Sequence, residues 1–154
     1  METVLVNMCM IYDREKDKIL VLDKVKKYGW EGLTFVGGHV EDGEVLYDSC
    51  VREVFEETGL KVKNLKLKGT VTWVAESNDT RELGFLYYTE DFSGNLIEDN
   101  VEGKLFWMGI EEFKNADGKS YSIDKILDLY LNDEYSELMI RWNKNDEIEL
   151  EEFF

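Results

Sequence analysis

Residues 38–60 read GHVEDGEVLYDSCVREVFEETGL. From Glu44 to Thr58 there is no glycine, apolar residues recur at helical spacing, and Gly59 follows as a C-terminal stop, so the spacing predicts a helix over residues 44–58. On a helix turning about 100° per residue, Glu53, Glu56 and Glu57 stand at i, i+3 and i+4 and share one arc, while Val51, Val54, Phe55 and Thr58 are expected to face a core. Three carboxylates on one face repel one another unless a cation or an arginine compensates. Hard divalent ions take carboxylate oxygens and use them to hold phosphates, which makes this face a candidate Mg²⁺ platform. Gly37 and Gly38 lie just upstream, where the lack of a side chain lets the backbone approach closely and offer a carbonyl to an ion. Arg52 is placed to hold a carboxylate through a fork of hydrogen bonds. Three glutamates alone, in an acidic protein, would more often be a solvated face; the residues fixed around them decide otherwise.

Upstream, residues 3–12 and 18–25 are rich in β-formers around the polar turn 13–17, as in a hairpin. A glycine-rich stretch from Gly29 to Gly43 surrounds a short apolar piece at 33–36. Downstream, residues 65–75, 83–89 and 104–108 read as strands. A second helix is expected over 122–131, with Ser120 or Ser122 as N-cap and Ile123, Ile126, Leu127 and Tyr130 on one face. Residues 136–142 and 147–150 alternate around 143–146 and suggest a closing hairpin, while the acidic end 146–154 fits an edge strand, a frayed tail or a dimer contact. With no linker, repeat or composition break, residues 1–154 are expected to form one α/β domain of layered strands and helices.

The chain has 154 residues, with 18 Lys+Arg against 34 Asp+Glu for a net charge of −16, and 44% hydrophobic residues. That is too much buriable material for a disordered acidic chain. The charge argues against nucleic acid as a partner and against an anionic membrane surface, because phosphate binding runs on Lys and Arg. A polyanionic ligand has to be met through a metal cation or a local basic patch. Cys9 and Cys50 sit among apolar neighbours and read as buried thiols rather than a disulfide. No apolar run approaches the ~18–20 residues a membrane span needs, and no leader pattern opens the chain. A cytoplasmic location is the expectation.

Gly38, five residues, Glu44, seven residues, Arg52-Glu53-Val54, one residue, Glu56-Glu57, one residue, Gly59-Leu60: in this arrangement the chain resembles the Nudix hydrolase superfamily, and within it the compact MutT-type enzymes. The signature covers 23 of the 154 residues. The resemblance implies an α/β/α sandwich with a mixed sheet between helices. It also implies hydrolysis, with Mg²⁺ or Mn²⁺, of a nucleoside diphosphate linked to another moiety. By resemblance Glu53, Glu56 and Glu57 are metal ligands, helped by the carbonyl of Gly37 or Gly38, and Arg52 and Glu44 orient that cluster. MutT-like proteins often place a further acid shortly before a tryptophan; Glu102-Gly103 followed by Trp107 fits, making Glu102 a candidate metal ligand or general base. Many members carry proline before the double glycine, where this chain has Val36 and no proline anywhere. That change bears on substrate fit more than on catalysis.

The partner so implied is a small nucleotide, taken up by a monomer or homodimer. The leading expectation is a (deoxy)nucleoside triphosphate, with 8-oxo-dGTP among the candidates, cut to the monophosphate and pyrophosphate. The alternative is ADP-ribose, a nucleotide sugar or a dinucleoside polyphosphate; the absence of proline, and of tyrosine between Leu60 and Tyr87, weighs against it. A binding-only module of the same fold is disfavoured because every signature glutamate is present. Phe35, Trp73 and Phe85, with Trp30 and Tyr87, are candidates for an aromatic slot holding the base, each with a core role as the competing explanation. His39, the only histidine, is expected at the rim of the site. Lys24, Lys26, Lys27, Lys61, Lys63, Lys66 and Lys68 offer local attraction, or simply the polar faces of strands.

Overall fold

In a computed structural model, residues 1–25 and 29–154 are described; Lys26 and Lys27 fall outside them. Twelve strands and three helices follow in chain order: β1 (Glu2–Asp13), β2 (Lys18–Lys24), β3 (Gly32–Thr34), β4 (Val36–His39), α1 (Leu46–Thr58), β5 (Leu60–Lys63), β6 (Lys66–Ala75), β7 (Thr80–Thr89), β8 (Asp91–Gly94), β9 (Asp99–Asn100), β10 (Gly103–Met108), α2 (Ile110–Asn115), α3 (Ile123–Leu131), β11 (Glu137–Trp142) and β12 (Ile148–Phe153). One sheet runs in the order β12-β11-β6-β7-β1-β2-β10-β9, with β4 also on β1 and β3 on β2; β5 and β8 form a separate pair. It is mixed: β1/β7 and β6/β11 are parallel, the other pairs antiparallel.

Both faces of the sheet are covered, and the central strands show it in sequence. Cys9 and Ile11 of β1, with Leu20 and Leu22 of β2, pack under Cys50 and Val54 of α1. The alternate residues Met10, Ile19 and Val21 face the other way, onto Phe113 of α2 and Ile123, Ile126 and Leu127 of α3. A strand buried on both faces loses its polar alternation and becomes a continuous apolar run; this is why residues 8–11 and 19–22 contain no charge. The expected α/β/α sandwich is what the chain forms.

Helix α1 begins two residues later than expected, after Val45, and ends at Gly59, which takes a left-handed conformation (φ 78°) and donates its N–H to the Phe55 carbonyl. Its buried face is Ser49, Cys50, Val54 and Thr58, and this corrects one expectation, since Phe55 is 50% exposed. With the face centred on Val54, Phe55 lies about 100° away around the helix, too far to reach the core. Helix α3 begins at Ile123, one residue later than expected, and the Ser122 hydroxyl does not cap it but accepts a hydrogen bond from Trp73 Nε1 (3.3 Å). The closing hairpin is β11–β12, and the acidic end is its outer strand, with Phe153 stacked on Tyr135 at 5.4 Å.

Candidate active site

The roll of α1 sets two of the three glutamates inward and one outward. Measured from Val54, Glu57 lies about 60° around the helix, Glu53 about 100° and Glu56 about 160°. Accordingly Glu57 and Glu53 are both partly buried, the Glu53 side chain being 16% exposed, while that of Glu56 is 56% exposed. Glu57 Oε2 accepts a hydrogen bond from the Gly37 N–H (2.9 Å). Gly38 has no room for a side chain: a Cβ there would stand 2.3 Å from the Glu53 carboxyl carbon, and one on Gly37 would stand 2.0 Å from the Asn7 carbonyl oxygen. The double glycine is therefore required by close approach, strand against strand and strand against carboxylate.

Arg52 is the hub of the exposed side. Its guanidinium makes a fork to Glu44 (Nε–Oε2 2.8 Å, Nη2–Oε1 3.0 Å) and reaches Glu53 Oε1 (3.0 Å), Glu56 Oε2 (3.2 Å) and the His39 carbonyl (3.0 Å). The hydrogen bond from Arg52, with the Glu41 N–H, holds the Glu44 carboxyl below its ordinary pKa. Arg52 and Glu44 thus tie β4, the following loop and α1 into one unit.

Glu102 arrives from the loop before β10. The Asn100 side chain sets it there, accepting from the Glu102 and Gly103 N–H groups (2.8 and 3.1 Å) while donating to the Glu57 carbonyl (2.8 Å). Asn7 does the same for the double glycine: buried in β1, it accepts from the Gly38 N–H (3.1 Å) and donates to Ser49 Oγ (2.9 Å) on α1. Neither asparagine is marked by the helix signature. Asn7 had a usable signal, a polar residue amid an apolar strand; Asn100 had none beyond its nearness to Glu102.

Loss of hydration pushes the Glu57 carboxyl up to about 8; the Gly37 N–H opposes this, while the negative charge and hydrogen bond of Glu102 and the charge of Glu53 add to it. Lys24 stands 3.9 Å from Glu102. Among the described residues no ready-made group of three or more His, Cys, Asp or Glu side chains holds a metal position; Glu56 is drawn off to Arg52. The donor set nevertheless suits a hard divalent cation. Glu53, Glu57 and Glu102 line one cavity together with Gly37 and Gly38, all donors there are oxygens, and the anionic crowding that raises Glu57 is what a cation relieves.

That cavity has a volume of about 570 Å³. Besides the carboxylates it is lined by Phe35, Trp30, Trp73, His39 and Lys24, all anticipated from sequence, and by Tyr121 and Glu82. Trp30 meets Trp73 edge to face at 5.4 Å and Tyr121 at 6.1 Å. Phe35 is 3% exposed and stacked on Phe113, so most of it is core. Phe85 and Tyr87 do not reach the cavity: on β7 they alternate with Gly84 and Leu86 and pack on the α1 side. Of the lysines, Lys61, Lys63 and Lys66 are exposed, Lys68 pairs with Asp133, and none of these four lines the cavity. Tyr121 and Glu82 went unnoticed because single residues at a loop and a strand end carry no periodic signal.

Comparison with known proteins places these features. The NUDIX domain family model matches residues 2–130. An uncharacterized Nudix hydrolase of Bacillus subtilis, YvcI, is 32% identical over 114 residues, covering 70% of each chain. The NAD-capped RNA hydrolase NudC of Vibrio parahaemolyticus is 30% identical over 105 residues, but the matched part spans only 39% of that protein's length. Among solved structures, a MutT protein of Bacillus halodurans superposes with a TM-score of 0.81 at 25% identity, over 97% of both chains.

Proposed function

The chain belongs to the NUDIX family and is a Nudix hydrolase acting on a nucleoside diphosphate linked to another moiety; from that premise we propose that its substrate is a (deoxy)nucleoside triphosphate, hydrolysed with Mg²⁺ to the monophosphate and pyrophosphate. The observation that carries this reading is a single cavity with two unlike ends, the carboxylates Glu53, Glu57 and Glu102 beside Gly37 and Gly38, and the rings of Trp30, Trp73 and Tyr121. An oxygen-rich end suits a cation with its phosphates, and an aromatic end suits a base.

In this reading Glu53, Glu56 and Glu57, with a carbonyl of Gly37 or Gly38, hold the ion, and Glu102 completes the set or takes a proton from water. Bound there, Mg²⁺ supplies neutralisation of the phosphate oxygens and a more acidic water, and Mn²⁺ is able to stand in for it. Arg52 and Glu44 keep the carboxylates in register. The need for a cation also reconciles a −16 chain with a polyanionic substrate. The same reading takes residues 1–154 as one domain, working in the cytoplasm as a monomer or homodimer; no helix among the described residues is long and apolar enough to cross a membrane.

A second reading has a specific observation behind it: the similarity to NudC favours a dinucleotide-type pyrophosphate. A panel of triphosphates including 8-oxo-dGTP, together with ADP-ribose, nucleotide sugars, Ap4A and NAD, separates the two when assayed with Mg²⁺ with and without inorganic pyrophosphatase. Phosphate release from triphosphates that depends on added pyrophosphatase is the expected result. Turnover of the diphosphate esters alone would replace the first reading with the second.

A further inference from the structure

The aromatic end of the cavity contains one carboxylate that the pyrophosphate chemistry does not use. Glu82 sits on β7, opposite Trp73 on β6 and Val4 on β1, on the same strand face as Gly84 and Leu86. It is half-buried, and among the described residues no hydrogen bond or ion pair engages it. Three other polar side chains that line or border the cavity are already committed. Asn7 is held between Gly38 and Ser49, the Ser120 hydroxyl donates to the Trp30 carbonyl, and Ser122 accepts from Trp73. Glu82 is thus an uncommitted acceptor opposite Trp73, in a cavity that Trp30 and Tyr121 also line.

Its distance from the phosphate end follows from the sheet. Gly38 pairs with Asn7, which pairs with Phe85, and Glu82 lies three residues further along β7. With strands about 4.8 Å apart and about 3.3 Å per residue, Glu82 and Gly38 are separated by roughly 14 Å, a span suited to a nucleotide laid along the cavity with its base at β7. Gly84, between the two ends on the same face, keeps the path clear: a Cβ there would press on Val71 and Trp73 at 3.0 and 3.2 Å.

We propose that Glu82 reads the base, and that the base is of the guanine type. This deepens the triphosphate reading and rests on it. A carboxylate only accepts hydrogen bonds, and its two oxygens match two adjacent donors. The Watson–Crick edge of guanine presents such a pair, the ring N1–H beside the exocyclic amino group. Adenine offers one donor beside an acceptor, as does cytosine, and uracil sets its donor between two carbonyls. Each of these turns at least one lone pair toward the carboxylate, which a half-buried site penalises.

The test compares kcat/KM with Mg²⁺ for guanine, hypoxanthine, adenine and pyrimidine triphosphates, in the wild-type protein and in E82Q and E82A. Binding of GMP and AMP is measured alongside. Loss of one charge-assisted hydrogen bond should cost hypoxanthine at least about tenfold against guanine, and adenine about 100-fold. E82Q should lower turnover of the guanine substrate and raise that of the adenine substrate, whose lone pair no longer faces a carboxylate, so that most of the preference is erased. Wild type that is indifferent to the base, or a preference unchanged in E82Q, overturns the proposal while leaving triphosphate hydrolysis standing. If no triphosphate is hydrolysed but GMP binds over AMP and E82Q abolishes the difference, the reaction assignment fails and the base-reading role of Glu82 survives. No triphosphate turnover together with equal binding of GMP and AMP ends both.

Discussion

A Cβ added to Gly38 meets the Glu53 carboxyl group, which can swing, whereas one added to Gly37 meets the backbone of Asn7 and Met8, which cannot. The two alanine variants should therefore separate catalysis from folding. G38A is expected to fold with a melting temperature close to wild type and to lose activity, because Glu53 is displaced from its place between Arg52 and the cavity. G37A is expected to lose about 1–3 kcal/mol of stability, the usual cost of forcing volume into a packed site. Thermal melts and turnover on the same preparations check both. Equal effects of the two variants on stability would mean that the carboxylate is as rigid as the strand.

At the scale of elements, the site is a junction held by three side chains that touch two or more partners each. Arg52 ties α1 to Glu44 and β4, Asn7 ties β1 to β4 and α1, and Asn100 ties the Glu102 loop to the end of α1. E44Q and R52Q should each lower kcat by about 10- to 100-fold, the usual toll for residues that support metal ligands. The double variant should lose little beyond the worse single one, since both break one unit; additive losses in kcat would show that they act separately.

This junction also shows what was readable in advance. The long elements were, because helix α1 and strands β1, β2, β6, β7 and β10 carry apolar patterns several residues long and end at clear stops. So were the glutamates and Arg52, whose spacing is set by one helix. The short strands β5, β8 and β9 and the six-residue α2 were not. Pieces of that length are fixed by their partners across space and not by periodicity. The same reason hid Asn7, Asn100, Glu82 and Tyr121: each acts through a neighbour distant in sequence. The misplacement of Phe55 and Phe85 has a related cause, since the roll of a helix and the facing of a strand depend on what they pack against.

For the whole molecule, charge is the property with the widest consequence. A chain at −16 repels nucleotide anions at a distance, and among the described residues that line the cavity Lys24 is the one lysine. Screening should therefore help. With free Mg²⁺ held constant, kcat/KM for a triphosphate is expected to rise as KCl is raised from low concentration to about 0.15 M, where the screening length falls to about 8 Å. A basic phosphate-binding groove would give the opposite slope, so a fall in kcat/KM would locate attraction that the described residues do not supply.

We propose that Glu53 and Glu57, which line one cavity, hold the divalent ion on which hydrolysis depends. The most direct measurement is Mn²⁺ uptake, followed by loss of the free-ion electron paramagnetic resonance signal on titrating wild type, E53Q and E57Q, with each variant shown folded by circular dichroism. Wild type should take up Mn²⁺, with uptake weakened at least tenfold in each variant and Mg²⁺ displacing the bound ion. Uptake by E57Q and E53Q equal to that of wild type would contradict the account, by placing the ion somewhere other than the glutamate face of α1.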